Sequence, residues 1–299
     1  MRIGRHTSTS GALVNAAIEA HELGANCFQI FSSSPRIWRA SVPSPEQCRL
    51  MRAAREKYDL APLVIHDSYL INLASADETV RQKSIEAFRG ELVRAVLIGA
   101  DYLVIHPGGS SALRMEEAVM TLVESLEKAA RGLTGEGLTL LLENTAGGGN
   151  RLGKHLEELR VVHDLAQPRF PFAIGYCLDT CHLYAAGHDI STGSGLAETL
   201  RRAEIILGLD NVPVIHTNDS KGALNSHLDR HANIGEGLIG LDGFRRIINH
   251  PKLRSKAFIL ETPCDNEGDD RREIERVRSL IEVSGDTRQA AGAKRKKQR

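Results

Sequence analysis

The chain has no C-x-x-C pair, and its five cysteines (Cys27, Cys48, Cys177, Cys181 and Cys264) are odd in number and scattered. That spacing gives no basis for a disulfide framework or a thiolate zinc site, and it predicts reduced, mostly buried thiols. Excess charge of one sign is also absent: Lys+Arg and Asp+Glu both number 38, so the net charge is zero. No global field therefore draws the protein to nucleic acid or anionic lipid, and any such binding has to come from local patches. No apolar run approaches the roughly 20 residues of a membrane span, and the start, MRIGRHTSTS, lacks the apolar segment of a secretory leader. These absences predict a cytoplasmic protein without a membrane partner, nucleoid-associated if the source is bacterial.

What is present is ordinary for a soluble globular chain, with 41% hydrophobic and 25% charged residues. The 299 residues suit an α/β barrel, which commonly takes about 250. Short β-branched runs alternate with longer amphipathic stretches. The runs are Arg2–His6, Cys27–Phe31, Pro62–His66, Tyr102–His106, Leu138–Glu143, Phe172–Asp179, Val212–His216 and Ala257–Glu261. Helical patterns follow over Ala12–Leu23, from Ser44-Pro45-Glu46, and over Thr79–Ile98, Met115–Arg131, Leu156–Ala166, Leu196–Leu207, Leu241–Asn249 and Arg271–Val283. Ser44 followed by Pro45 is a cap residue before proline at the first helical position. The runs show no polar alternation, as expected of parallel strands covered on both faces. Eight strand–helix units predict a (β/α)8 TIM barrel, one domain over residues 1–284, in preference to an open doubly wound sheet. Residues 285–299, ending AGAKRKKQR, are polar, basic and without periodicity, and are expected to be a disordered tail.

The tripeptide Val-Ile-His occurs at 64–66, 104–106 and 214–216, each time followed by turn-forming residues. The strand runs starting at Pro62, Tyr102, Leu138, Phe172, Val212 and Ala257 end in His66, His106, Glu143, Asp179, His216 and Glu261. All six are metal-ligand types, and in a barrel the carboxyl ends of the strands meet at one face. A lone histidine or carboxylate at a strand end is usually a satisfied polar residue or a cap. Six in successive strands would be desolvated and mutually repelling unless cations were present. Two loop clusters extend the set. Asp179 and His182 lie three apart beyond a strand end, and Asp229 and His231 lie two apart, which points both to one side of extended backbone. His227 continues that spacing and is an alternative to either. Nine candidates are too many for one catalytic ion but suit three with a bridging carboxylate. Nitrogen and oxygen donors favour zinc, manganese or iron.

HDSYLINLAS, HPGG, ENTAGGG, LDTCHLYAAG, HTNDSK, DRHANIGEG and ILETP, in this order, closely resemble the endonuclease IV family of apurinic/apyrimidinic endonucleases, trinuclear-zinc barrels. The resemblance runs from IGRHTS to ILETP. It implies a first zinc on His66, His106 and Glu143, with Glu143 bridging to a second completed by Asp179, His216 and Glu261, and a third on His182, Asp229 and His231. Manganese is an alternative to zinc at one or more sites. Glu143, Glu261, His106 and Asp179 are the implied catalytic residues. The implied partner is double-stranded DNA carrying abasic sites or blocked 3′ ends. The implied reaction is base-excision-repair incision 5′ to the abasic site, leaving 3′-hydroxyl and 5′-deoxyribose phosphate, with 3′-diesterase and 3′-phosphatase activity. A hydroxide between the first two ions would attack in line while the third stabilises the leaving oxygen.

The resemblance also implies that Arg36 and Tyr69 enter the DNA, that Asn72 binds a backbone phosphate, and that Arg230 belongs to the DNA surface. Read without it, Tyr69 is a core aromatic and Arg36 a solvated charge. Trp38, the only tryptophan, reads as packing. With zero net charge, DNA contact falls to Arg36, Arg39, Arg151 and Arg230 and to backbone amides of Gly108-Gly109 and Gly147-Gly148-Gly149. Arg5 and Thr7 stand where the family carries smaller or apolar residues, and His6 faces the mouth without a ligand role. A monomer without an obligate protein partner is expected. Two rivals remain at this stage: a sugar isomerase or epimerase on a similar barrel, for which two ions suffice, and a non-catalytic damage-binding module.

Overall fold

The eight apolar runs become parallel strands because none carries a polar face for solvent, so each needs cover on both sides. The computed structural model describes residues 1–282 apart from 136, 150 and 267, so the expected tail over 285–299 and the end of the barrel domain at 284 lie outside the described residues. The strands are β1 (Arg2–His6), β2 (Cys27–Phe31), β3 (Leu63–His66), β4 (Tyr102–Ile105), β5 (Thr139–Glu143), β6 (Ala173–Asp179), β7 (Val214–His216), the two-residue pieces β8 (Asp219–Ser220) and β9 (His231–Ala232), and β10 (Ala257–Leu260). Strands β1 to β7 and β10 close into one barrel, with β10 joining β7 to β1, and all pairings in it are parallel. The β8–β9 pair is a separate antiparallel ribbon beyond the end of β7.

Helices α1 (Asn15–Glu22), α2 (Pro45–Lys57), α3 (Glu78–Ile98), α4 (Met115–Ala130), α5 (Leu156–Ala166), α6 (Thr180–Ala185), α7 (Gly193–Ile206), α8 (Gly240–Asn249) and α9 (Asp269–Ser279) cover the strands. Local chemistry sets their ends. At α2, Ser44 Oγ accepts from the Gln47 amide (3.2 Å) while Gln47 Oε1 accepts from the Ser44 amide (2.8 Å), a reciprocal capping box. Helix α3 starts under the Asp77 carboxylate and stops where Gly99 takes φ 81°, a left-handed turn that favours glycine. Helix α6 has no counterpart among the predicted helices. Its six residues are all buried, so no polar face marks a helical period. Strand β7 starts at Val214, later than the expected Val212, because a 3-10 turn occupies Leu209–Asn211.

Inside the barrel, Cys27, Val64, Val104, Leu141, Cys177, Val214, Ala257 and Ile259 form a buried apolar plug separate from the larger core between strands and helices. Side chains alternate along a strand, so the residues two positions beyond this plug also face inward, at the carboxyl end. They are Gln29, His66, His106, Glu143, Asp179, His216 and Glu261, and His6 joins them two positions after Gly4. A Cβ on Gly4 would stand 1.8 Å from the Cys27 carbonyl oxygen, so only glycine lets β1 close against β2 there. Every barrel strand thus contributes one polar residue to a ring over an apolar plug.

Candidate metal centre

Glu143 occupies the middle of the ring and is fully buried. Its Oε2 lies 3.3 Å from His66 Nε2 and 3.1 Å from His106 Nε2, and its Oε1 lies 3.0 Å from His216 Nδ1 and 3.3 Å from His182 Nδ1. Donor atoms of Asp179, His216 and Glu261 fall within 4.8 Å of one another, as do those of His182, Asp229 and His231. All nine predicted donors therefore converge on one mouth. Cys181 also approaches Asp179 and His231, but its thiol faces the Arg230 carbonyl at 3.7 Å and burial pushes its pKa up to about 12, unlike a thiolate ligand.

His227 does not join the cluster. Its backbone turns at φ 57°, which breaks the two-residue alternation. Its Nδ1 donates to the Ala146 carbonyl (3.1 Å), and its Nε2 faces Lys154 Nζ (3.4 Å). It thus docks the loop carrying Asp229 against the glycine turn after β5.

The electrostatics show a ring built around positive charge. Burial alone would raise the Glu143 pKa, but the His216 and His106 charges and the hydrogen bonds from His106 and His182 hold it well below the usual range. Glu261 is likewise held down, at about 2, because His216 and His66 outweigh its burial. Burial opposes charge on the imidazoles, yet hydrogen bonding to and charge on Glu143 raise His66 to about 10, and Asp229 and Asp179 raise His231 to about 9. Without metal, protons on these rings supply the cationic charge that the carboxylates require.

Metal ions fit these residues on three counts. The donors are borderline imidazole nitrogens and hard carboxylate oxygens, the mixture zinc and manganese accept. His66 Nδ1 donates to the Asp67 carbonyl (2.9 Å), His182 Nδ1 to the Asn144 carbonyl (2.9 Å) and His231 Nδ1 to the Glu261 carbonyl (3.4 Å). This outer hydrogen bonding is what leaves the other nitrogen, Nε2, free to bind a metal. Finally, His231 Nε2 is buried without a hydrogen-bond partner among the described residues, although it lies 3.3 Å from Asp229 Oδ1.

Several supporting residues escaped the sequence reading. Gln29 is fully buried in the middle of β2 and touches His216, Glu261 and His6. Its signal is a glutamine in phase with Cys27 inside the otherwise apolar run CFQIF. Asn218 Nδ2 donates to Asp179 Oδ2 (2.5 Å), and its Oδ1 accepts from the Glu261 amide (2.9 Å). Asn144 Oδ1 accepts from the Asp179 amide at 2.7 Å. Asp219, buried in β8, gathers backbone amides from Ser220 to Gly240 and so shapes the loop downstream of His231.

The expected DNA residues lie on loops of the same face. Tyr69 is 65% exposed, which corrects its reading as a core aromatic. Arg36, Arg39, Arg151 and Arg230 are exposed, and Trp38 is half-buried. Ser68 Oγ donates to the Pro35 carbonyl at 2.8 Å, joining the loop that carries Tyr69 to the loop that carries Arg36. Asn72 spends its amide on the HPGG turn: Nδ2 donates to the Gly109 carbonyl (2.9 Å), and Oδ1 accepts from the Gly109 amide (3.1 Å). Its contribution here is to shape that turn. Arg5 is buried, with its guanidinium beside residues that follow β10. Its Nη1 pairs with Asp270 (2.5 Å) and its Nη2 with Cys264 Sγ (2.6 Å), fastening β1 to α9. His6 stacks at a tilt on Phe31, and burial lowers its pKa to about 4 despite the neighbouring Glu261.

Residues 18–282 match the family described as xylose isomerase-like TIM barrel. A protein named probable endonuclease 4 from Solibacter usitatus is 58% identical over 280 residues, 94% of this chain and 97% of the relative. The chain belongs to the endonuclease IV family. The crystal structure of endonuclease IV from Thermus thermophilus superposes with TM-score 0.82 at 38% identity, covering 94% of this chain and 98% of that one. A 3-keto-D-glucoside 4-epimerase from E. coli matches with TM-score 0.66 but only 14% identity, over 93% and 99% of the two chains, which shows a shared fold and nothing more. Among the described residues, no helix of this endonuclease IV family member is long and apolar enough to cross a membrane.

Proposed function

We propose that the protein is a DNA repair endonuclease that hydrolyses the phosphodiester 5′ to apurinic/apyrimidinic sites. The products are a 3′-hydroxyl and a 5′-deoxyribose phosphate, and blocked 3′ ends are cleared by the same centre. The observation that carries this reading is the convergence of nine donors around one buried carboxylate, in a chain 58% identical to a protein named probable endonuclease 4.

Three zinc ions, or manganese at one or more positions, would be held by His66, His106 and Glu143, by Glu143, Asp179, His216 and Glu261, and by His182, Asp229 and His231. When bound, they supply an activated water, charge to offset the crowded phosphate, and stabilisation of the departing oxygen. The protein's own residues hold this arrangement rigid. Glu143 joins the first two groups through its two oxygens, Asp179 and Glu261 are fixed by Asn218, and His106 closes the mouth beside His182, with ring centroids 5.6 Å apart. On this reading Glu143, Glu261, His106 and Asp179 act on the reacting phosphate through the ions they would hold.

Tyr69 and Arg36 probe the duplex. An abasic nucleotide leaves the helix at lower cost than an intact one because no base has to unstack. Zero net charge means that Arg36, Arg39, Arg151 and Arg230 and loop amides meet the phosphates, so binding is salt-sensitive. We place the protein in the cytoplasm, acting as a monomer on DNA.

The test is incision of a synthetic abasic duplex, run with elemental analysis. Chelation should abolish cleavage, zinc should restore it, and the active protein should hold close to three zinc ions per chain. Cleavage that persists in chelator would refute the reading. Two ions with sugar epimerisation would replace it with the carbohydrate enzyme, and binding without cleavage would replace it with a damage-recognition module.

A further inference from the structure

We infer that Gln29 is a positioning residue that decides which nitrogen His216 presents to the second group of donors. The inference rests on the metal-centre reading above and adds a residue that the ligand set does not contain.

Hydrogen-bond donors and acceptors fix the orientation of the amide. The Gln29 side-chain nitrogen lies 2.6 Å from Glu261 Oε1 and 3.2 Å from His6 Nδ1, and the side-chain oxygen lies 2.8 Å from His216 Nε2. An ionised carboxylate only accepts, so the amide NH2 has to face Glu261. Its second hydrogen then points to His6 Nδ1, which accepts, and the carbonyl is left facing His216 Nε2. That nitrogen must carry a hydrogen to donate. In the neutral form that can hold a metal, the lone pair of His216 therefore sits on Nδ1, the atom 3.0 Å from Glu143 Oε1 and 3.4 Å from Glu261 Oε2.

His216 is thus the reverse of its neighbours. His66, His182 and His231 give Nδ1 to backbone carbonyls and present Nε2. A backbone carbonyl is fixed by the fold, whereas His216 depends on one side chain that can be exchanged. Because Gln29 is fully buried, no bulk water replaces its amide when it is removed.

Two variants of the full-length zinc-loaded protein, labelled with 15N histidine, test this. In the unsubstituted protein the two-bond 1H–15N spectrum should show His216 protonated on Nε2. Gln29→Met keeps the length but removes donor and acceptor. It should weaken retention of one zinc ion against a chelator by about 10–100-fold. Gln29→Glu keeps an acceptor opposite Nε2 and, sharing one proton with Glu261 Oε1 where the amide NH2 stood, should preserve the Nε2–H signal, which also guards against a Gln29→Met that fails to fold. A proton on Nδ1 of His216 in the unsubstituted protein would overturn the inference. So would undiminished retention of all three ions in Gln29→Met, or loss of the Nε2–H signal in Gln29→Glu. These failures differ from failure of the metal-centre reading, in which the unsubstituted chain itself takes up no zinc and leaves abasic DNA intact.

Discussion

Replacing Asp219 with asparagine exchanges one oxygen for NH2 at almost constant size, and the structure allows its cost to be worked out. Oδ1 accepts from the Ser220 and Ile239 amides at 2.8 and 2.9 Å, and Oδ2 from the Gly235, Gly237 and Gly240 amides at 2.9, 3.1 and 3.2 Å. Whichever oxygen becomes NH2, at least two buried amides then face a donor. Hydrogen bonds to charged groups contribute about 1.5–3 kcal/mol each, so the loss is roughly 3–6 kcal/mol. The loop has little room to relax, because a Cβ on Gly237 would already stand 2.5 Å from Asp219 Oδ1. The damage should therefore stay local to residues 233–240, next to His231. At about 1.4 kcal/mol per factor of ten, amide hydrogen exchange there should accelerate by about 100-fold or more. Native-state exchange read by mass spectrometry measures it, and the same variant should lose one zinc ion of three. Acceleration below about tenfold in 233–240, with exchange elsewhere equally changed, would refute the reasoning.

Glu143→Ala should abolish incision and remove zinc from two of the three positions, since both Glu143 oxygens face histidines; intact metal content by elemental analysis would contradict the bridging role. Tyr69→Ala should weaken binding to an abasic duplex by about 1–3 kcal/mol, the range for losing a stacking aromatic. Because Tyr69 is exposed, it should move stability by less than about 0.5 kcal/mol, as checked by binding titration beside thermal melting. Arg36→Ala should lower the slope of log affinity against log salt by about 1; an unchanged slope would remove Arg36 from the phosphate contacts. In the metal-free protein, His66 and His231 are raised to about 10 and about 9, so their stabilisation is complete below about pH 6.5 and is lost as pH climbs through those values. Glu261, lowered to about 2, stabilises above about pH 4.3 and ceases to do so as pH falls through 2. Metal-free stability should therefore peak between about pH 4.5 and 6.5, whereas zinc binding, which displaces those protons, should tighten above that window; denaturation with and without chelator reads both.

The barrel and most of the donor set were legible because strand ends carry their chemistry in plain view. His66, His106 and His216 each close an apolar run, and the alternation that buries Val64, Val104 and Val214 turns the histidine two residues later to the same side. The loop donors were legible for a different reason: Asp229 and His231 keep a short spacing. His227 has the same spacing and fails, because a left-handed backbone angle at His227 itself reverses the chain, and sequence spacing carries no φ. Gln29 and Asp219 were missed because their importance lies in partners far away in the chain. Gln29 reaches residues 187 and 232 positions distant, and Asp219 serves backbone amides, up to 21 positions on, that no side chain announces. Tyr69 looked like a packing residue by type, and only its place on a turn beyond β3 exposes it.

The bond from Ser68 to Pro35 also couples two loops mechanically. Ser32, at the root of the Arg36 loop, is held by Glu91 and by Arg94 of α3, themselves a buried pair at 2.7 Å. The Asn72 amide donates to Ser84 Oγ of α3 at 2.9 Å, so the loop that carries Tyr69 is fastened to the same helix and to the loop that carries Arg36. If Tyr69 and Arg36 enter the duplex as proposed, they would test it as one stiff fork instead of two independent fingers, and a site that accepts only one tine would be passed over.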